Sequence, residues 1–256
     1  MELRLKFDED ELNYERCRPQ YPEALMKEVL QSFHLGPHSQ VLEIGIGTGQ
    51  ATQPILDTGC SLTAVELGRK LAAFAEKKFQ KAPNFQVIQG DFMDLELREN
   101  SWDALYSATA FHWLPQPQAL EKVRRLLKPQ GCLALFWNHP YPNRFDDCSN
   151  QINRQVYQQF CPSDQELKEF DESDLKPWTD RLIKAGFDSV QAHLYHRVRT
   201  LDIQDYIGLL NTYSDHRALP EATRLAFEQA MAKGLQSVGG QIRIYDTLDL
   251  YLARKL

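Results

Sequence analysis

Three acidic residues and a run of glycines are spaced in this sequence as a ligand site would space them. Glu43 stands two residues before Gly45, which opens the turn Gly45-x-Gly47-x-Gly49. Glu66 follows Gly45 by 21 residues, and Asp91 and Phe92 lie further along. Glycines allow positive φ and, lacking Cβ, let backbone N–H groups come close to a ligand. A carboxylate at the Glu66 spacing can accept hydrogen bonds from two ribose hydroxyls. Asp91 can accept from an exocyclic amine such as that of adenine, while the Phe92 N–H can donate to a ring nitrogen. The dinucleotide pattern G-x-G-x-x-G needs glycine where Gln50 stands. A carboxylate at Glu43 would also repel a pyrophosphate. The pattern suits a ligand with a positive end.

These residues need a scaffold that brings strand ends together. Gln40 to Glu43 reads as a strand, followed after the glycine turn by a helix over Gln50 to Asp57 that stops at Gly59. Strands are expected over Ser61 to Val65 (ending at Glu66), Phe85 to Gln89, Asp103 to Ser107 and Cys132 to Trp137. Helices are expected over Pro22 to Ser32, Arg69 to Lys78 and Gln118 to Leu127, the last stopped by Lys128-Pro129-Gln130-Gly131. Five strands alternating with helices imply crossover connections and a parallel sheet covered on both faces. Ligands bind such sheets beyond the strands' carboxyl ends. There stand Glu43 with the glycines, Glu66, Asp91, and Ser107 with Ala108. Past Asn138 the pattern changes. His139 to Asn143 reads as a loop, residues 150–170 have helical spacing, and Pro177 to Ala185 reads as a helix. Asp188 to Thr200 reads as a strand, residues 202–237 as two helices broken near Leu219-Pro220, and Ile242 to Leu252 as the last strand.

Composition narrows the class. The 256 residues are 43% hydrophobic and 25% charged, with net charge −6. That balance suits a water-soluble fold and disfavours a broad nucleic-acid-binding face. No run reaches the 18 or more apolar residues of a membrane helix, and the acidic N-terminus does not read as a signal peptide. Five scattered cysteines (Cys17, Cys60, Cys132, Cys148, Cys161) with no Cys-x-x-Cys pair give neither a disulfide framework nor a zinc site. A cytoplasmic location is the expectation.

Five motifs in order carry a resemblance. They are Val41 to Gly49, Ala64-Val65-Glu66, Gln89-Gly90-Asp91-Phe92, Trp102-Asp103-Ala104-Leu105 and Arg125 to Gly131. Over roughly residues 36–137 they resemble the class I methyltransferases that use S-adenosylmethionine. Asn13-Tyr14-Glu15-Arg16, Arg18 to Pro22, Ala108 to Trp113 and Ile244 to Leu252 are similar to its small-molecule branch, the type 11 or trans-aconitate methyltransferase-like proteins. The resemblance implies an α/β fold, a Rossmann-like seven-stranded and mostly parallel sheet with an antiparallel last strand beside strand five. Helices would cover both faces, and a helical lid would lie between strands six and seven. It implies one domain over 1–256: flap and helix 1–35, cofactor core 36–140, variable helices and strand six 141–200, lid 201–240, last strand 241–256. Glu43 and Gly45, Gly47 and Gly49 would face the cofactor's methionine end. Glu66 would hold its ribose. Asp91, Phe92 and Leu67 would hold its adenine, and Ser107 and Ala108 would line the sulfonium. Tyr14 and Arg18, with Tyr21, would form a flap over it.

The implied reaction moves a methyl group from S-adenosylmethionine to a small-molecule acceptor by in-line displacement, with a carboxylate or hydroxyl oxygen as the expected target. The Asn/Asp-Pro-Pro-aromatic motif of base- and amide-methylating enzymes is absent where Ser107-Ala108-Thr109-Ala110 stands, which points away from nucleic acid. His112, just after strand four, is the candidate base or orienting group. It equally suits a histidine packed under Trp113. Arg18, His216 and Arg217 are candidates for pairing an anionic substrate, and Trp137, Asn138, Tyr141 and Tyr213 for lining the acceptor pocket. Each also has a structural reading as packing or surface. Two competing functions stand beside this one. An NAD-dependent oxidoreductase is disfavoured by Gln50 and Glu43, and a non-catalytic S-adenosylmethionine-binding protein by the lid-like helices.

Overall fold

A seven-stranded sheet carries the glycine turn at the carboxyl end of one of its inner strands. The computed structural model describes residues 7, 8, 10–163 and 167–256. Residues 1–6 and 9, in the acidic N-terminal stretch, and 164–166, in the segment expected to be helical, lie outside the described residues. The strands are β1 (Gln40–Ile44), β2 (Ser61–Glu66), β3 (Phe85–Gln89), β4 (Trp102–Ala108), β5 (Leu127–Tyr141), β6 (Phe187–Asp202) and β7 (Gln241–Lys255). The helices are α1 (Glu11–Cys17), α2 (Glu23–Phe33), α3 (Thr52–Leu56), α4 (Arg69–Lys78), α5 (Gln118–Leu126), α6 (Cys148–Phe160), α7 (Lys176–Lys184), α8 (Ile203–Leu210), α9 (Ser214–Ala218) and α10 (Glu221–Gln236). The sheet order is β3-β2-β1-β4-β5-β7-β6, mostly parallel, with β7 antiparallel to β5. The order reverses between β1 and β4, so the crevice for a ligand opens at their carboxyl ends.

The chain forms two compact units. The larger comprises Pro19–Trp137, Asp171–Tyr195 and Leu248–Leu256, and the second comprises Met1–Arg18, Asn138–Phe170 and His196–Thr247. In the larger unit both sheet faces are covered, which is why its strands read as apolar runs. On one face Val41, Ala104, Tyr106 and Phe136 pack with Leu25, Val29 and Phe33 of α2 and Ile55 of α3. On the other, Leu42, Leu105, Leu133 and Leu135 pack with Leu120, Val123 and Leu126 of α5 and Leu182 of α7. Alternate residues of one strand thus feed opposite layers. In the second unit Tyr206, Leu209 and Leu210 of α8 pack with Phe227, Met231 and Leu235 of α10 and Val156 of α6.

The expected elements are present, with corrections at their limits. The helix after the glycine turn spans only Thr52–Leu56, because Gln50 and Ala51 are still in the turn. β5 runs through both Lys128-Pro129-Gln130-Gly131 and His139-Pro140-Tyr141, read from sequence as a helix stop and a loop. Its sheet neighbour β7 is equally long and supplies partners that no local signal reveals. Residues 202–237 form three helices, not two. The extra break follows α8, where the Thr212 hydroxyl donates to the Leu209 carbonyl at 2.6 Å and Arg217 Nε donates to the Asn211 carbonyl at 2.7 Å. Those side chains satisfy carbonyls that a continuing helix would use. Among the described residues no helix is long and apolar enough to cross a membrane.

Candidate functional site

The glycine turn is held from three sides in the larger unit. The Gly45 N–H donates to the Val65 carbonyl at 2.8 Å, and Lys78 Nζ donates to the Thr48 carbonyl at 3.0 Å. Glu66, buried at the end of β2, does the most: one carboxylate oxygen accepts from the Gly47 N–H and the other from the Gly68 N–H, both at 2.8 Å. Gly45 and Gly49 have φ of 74° and 85°. A Cβ on Gly49 would lie 2.4 Å from the Phe79 ring, and one on Gly45 would lie 2.5 Å from the Ala110 methyl. These two positions therefore need glycine for both conformation and space.

Glu43 is placed differently from the expectation that it faces the ligand. It is 1% exposed, and one of its oxygens accepts from the Thr52 hydroxyl at 2.8 Å and the Tyr106 hydroxyl at 2.7 Å. It ties the floor of the turn to α3 and β4. Burial pushes its carboxyl up to about 8, only partly countered by those hydroxyl bonds. The charge that the sequence suggests is largely withheld near neutral pH. The same burial, with Glu43 beside it, holds the Tyr106 phenol neutral.

The ends of β3 and β4 supply the next groups. Asp91 accepts from the Met93 N–H at 2.9 Å. The Phe92 ring is buried, and among the described residues its N–H donates to no protein acceptor. Lys122 was not singled out by any motif, yet it shapes this segment. Its ammonium donates to the carbonyls of Phe92, Met93 and Leu95 at 2.6, 3.1 and 2.6 Å. Leu67 is half-buried, its carbonyl accepting from Gln89 Nε2 at 2.9 Å. Ser107 is fully buried and its hydroxyl donates to the Ile44 carbonyl at 2.7 Å, joining β4 to β1; Ala108 is half-buried.

Just after β4 the backbone is strained. Thr109 has φ of 55°, a region that β-branched residues rarely adopt. It is pinned by its N–H to the Phe136 carbonyl at 2.8 Å and by a 2.7 Å contact between its hydroxyl and that of Tyr21. The strained turn sets Ala110 against Gly45 and leads into the 3-10 turn Phe111–Trp113. His112 on that turn is exposed, and Trp137 Nε1–H donates to its Nδ1 at 2.8 Å. A ring nitrogen that accepts carries no proton, so the neutral imidazole bears its hydrogen on Nε2. In that tautomer the N–H lies on Nε2, an arrangement that suits an orienting group better than a base.

The remaining candidates lie in the second unit. Arg18 donates to the Thr212 carbonyl at 2.8 Å, and its guanidinium lies 5.0 Å from the Tyr14 ring and 4.8 Å from the Tyr213 ring. His216 and Arg217 are spent inside the fold. His216 is buried with Nε2 2.7 Å from the Tyr157 hydroxyl, and burial pushes its imidazole below the usual range. A neutral, enclosed His216 is a poor partner for an anion. Arg217 donates to Asn211 and lies 3.6 Å from Asp10. Asn138 donates to Asp246 at 3.2 Å and Tyr141 to the Leu167 carbonyl at 3.2 Å.

Comparison with known proteins follows the same residues. The family model described as a methyltransferase domain matches residues 42–135. An uncharacterized methyltransferase-like protein of Schizosaccharomyces pombe is 28% identical over 221 residues, covering 84% of this chain and 80% of its own. Trans-aconitate 2-methyltransferase of Deinococcus radiodurans is 32% identical over 117 residues, covering 45% of this chain and 43% of its own. Among solved structures, the fold is shared with Haemonchus contortus phosphoethanolamine N-methyltransferase 2, bound to phosphomonomethylethanolamine and S-adenosylhomocysteine. That match has a TM-score of 0.58 at 15% identity and covers 100% of this chain and 60% of the other.

Proposed function

We propose that this chain, a class I S-adenosylmethionine-dependent methyltransferase, methylates an oxygen, carboxylate or hydroxyl, of a small-molecule acceptor. The observation that carries the site assignment is Glu66, whose carboxylate grips the Gly47 and Gly68 amides at the end of β2. A carboxylate at the end of β2 is the acceptor type that ribose hydroxyls need. The cofactor fits the donor set around it. Asp91 and the uncommitted Phe92 N–H offer the acceptor and donor that an adenine edge needs. Gly45, Gly47 and Gly49, whose amides are paired within the turn and to Val65 and Glu66, would let the methionine end come close for want of Cβ atoms, with Leu67 beside the adenine and Ala108, next to the buried Ser107, toward the sulfonium. Tyr14 and Arg18 complete the proposed cofactor-binding set.

When bound, S-adenosylmethionine supplies a methyl group already activated on a sulfonium. The protein's share is then to position the acceptor and exclude water, and proximity of this kind supplies on the order of 7–11 kcal/mol. A carboxylate acceptor needs no base. For either acceptor the Nε2–H of His112 orients the oxygen by donating to it, and Trp137 keeps the ring in that tautomer. Incubation with S-adenosylmethionine labelled in its methyl group, across hydroxylated and carboxylated small molecules, tests the reading. Labelled ether or ester is expected. Label found only on nitrogen or carbon contradicts the oxygen assignment.

A further inference from the structure

The second unit contains a cavity of about 660 Å³, within the roughly 300–1,000 Å³ typical of small-molecule sites. Its polar walls are largely self-satisfied. The Tyr206 hydroxyl donates to Asn153 Oδ1 at 2.6 Å, and Asn153 Nδ2 donates to the Pro142 carbonyl at 2.9 Å. Tyr157 is taken by His216. Tyr213 differs: its ring lines the cavity, and among the described residues its hydroxyl has no hydrogen-bond partner. Burial pushes the phenols of Tyr157, Tyr206 and Tyr213 up and the His216 imidazole down, so all four line or back the cavity uncharged.

Among the described residues two formal charges remain on the walls, Arg154 and Asp215, and they are of opposite sign. Arg154 is committed: its guanidinium stacks 3.4 Å from the Phe145 ring centre and donates to Asn143. Pro140, Leu210 and Ile244 complete a mainly apolar surface. Among the described residues such a surface gives an anion no uncommitted cation and a dication no pair of carboxylates. It gives an apolar body good contact and a single oxygen one partner.

We propose that this cavity binds an uncharged, mainly apolar small molecule whose one polar oxygen hydrogen-bonds the Tyr213 hydroxyl. This goes beyond methyl transfer and stands or falls on binding alone. The full chain is titrated with three probes sharing one ring system: 2-naphthol, naphthalene and 2-naphthoate. Saturable one-to-one binding of 2-naphthol is expected, with 2-naphthoate weaker by about tenfold or more because its charge would be desolvated without a partner. Tyr213→Phe is expected to weaken 2-naphthol about fivefold, the size of one lost hydrogen bond, and to leave naphthalene unchanged. Leu210→Trp, which fills the cavity, is expected to abolish binding of both. If that variant does not fold, the Tyr213→Phe comparison decides alone. Absence of saturable 2-naphthol binding, equal or tighter binding of 2-naphthoate, or indifference of 2-naphthol to Tyr213→Phe would each overturn the proposal. Activity with labelled cofactor is read separately, so failure here leaves the methyl-transfer reading untouched.

Discussion

The glycine-turn site and the tyrosine-lined cavity solve the problem of binding in opposite ways. The first is built from backbone. Its amides and carbonyls are aimed by side chains such as Glu66, Glu43 and Lys122 that stand behind them. The second is built from side chains, with Tyr206 paired to Asn153, Tyr157 paired to His216 and one phenol left over. A backbone site must obey strand ends and turn geometry, so its residues keep a fixed spacing. A side-chain site needs only that rings and amides meet in space. The first therefore tolerates little change at its glycines, while the second can change specificity one side chain at a time.

The sharpest way to break this contrast is Gly49→Ala. Left-handed backbone at a residue with a Cβ costs roughly 1–2 kcal/mol, and the 2.4 Å approach to Phe79 adds an overpacking cost of about 1–3 kcal/mol. A lower urea midpoint and loss of S-adenosylhomocysteine binding by calorimetry are expected. A variant as stable and as tight-binding as the parent would mean that the turn is not rigidly set. Glu66→Ala comes next. It removes the acceptor for two loop amides and, on the proposed reading, for the ribose, and the loss in cofactor affinity is expected at about 1–3 kcal/mol. Unchanged affinity would leave Glu66 as a turn brace alone.

Much of the backbone site was legible in the sequence for this reason. The acid at the end of β2, the glycines and the acid after β3 recur at distances that strand and helix lengths impose. Glu43 was visible as a carboxylate, but its burial under Thr52 and Tyr106 was not, because partners nine and 63 residues away share no local pattern. Lys122 and the Tyr21–Thr109 contact were hidden likewise: a lysine on an amphipathic helix and a tyrosine before a proline name no partner until the fold closes. The full length of β5 depends on β7, more than a hundred residues later. The cavity lay beyond sequence reasoning, since its walls come from residues 140 to 244 with no repeated spacing.

The buried carboxyl of Glu43 gives an effect with a definite sign, modest at each step of pH. In an unfolded chain it ionises near 4.5, and in the fold near about 8. Between those values the unfolded chain has released this proton and the folded chain has kept it, so raising the pH favours unfolding. The contribution is at most ~1.4 kcal/mol per pH unit and levels off above about pH 8. Denaturation of the cofactor-free protein is expected to show this decline relative to Glu43→Gln, which lacks the titration. Parallel stability curves for the two proteins would show Glu43 ionised in the fold. The smallest effect concerns His112. His112→Ala is expected to lower kcat by about tenfold, the scale of one hydrogen bond to the acceptor, while cofactor affinity holds. Trp137→Phe should shift kcat the same way by releasing the tautomer. An unaltered kcat in both would assign the pair to packing.

The central claim is that Glu66 and the glycine turn form the S-adenosylmethionine site. Titration calorimetry of S-adenosylhomocysteine into the wild-type protein and Glu66→Gln, with NADH as a control, tests it most directly. Saturable one-to-one binding to wild type is expected, with binding weaker by about tenfold or more in Glu66→Gln and no heat from NADH. Equal affinity in the two proteins, or preference for NADH, would contradict it.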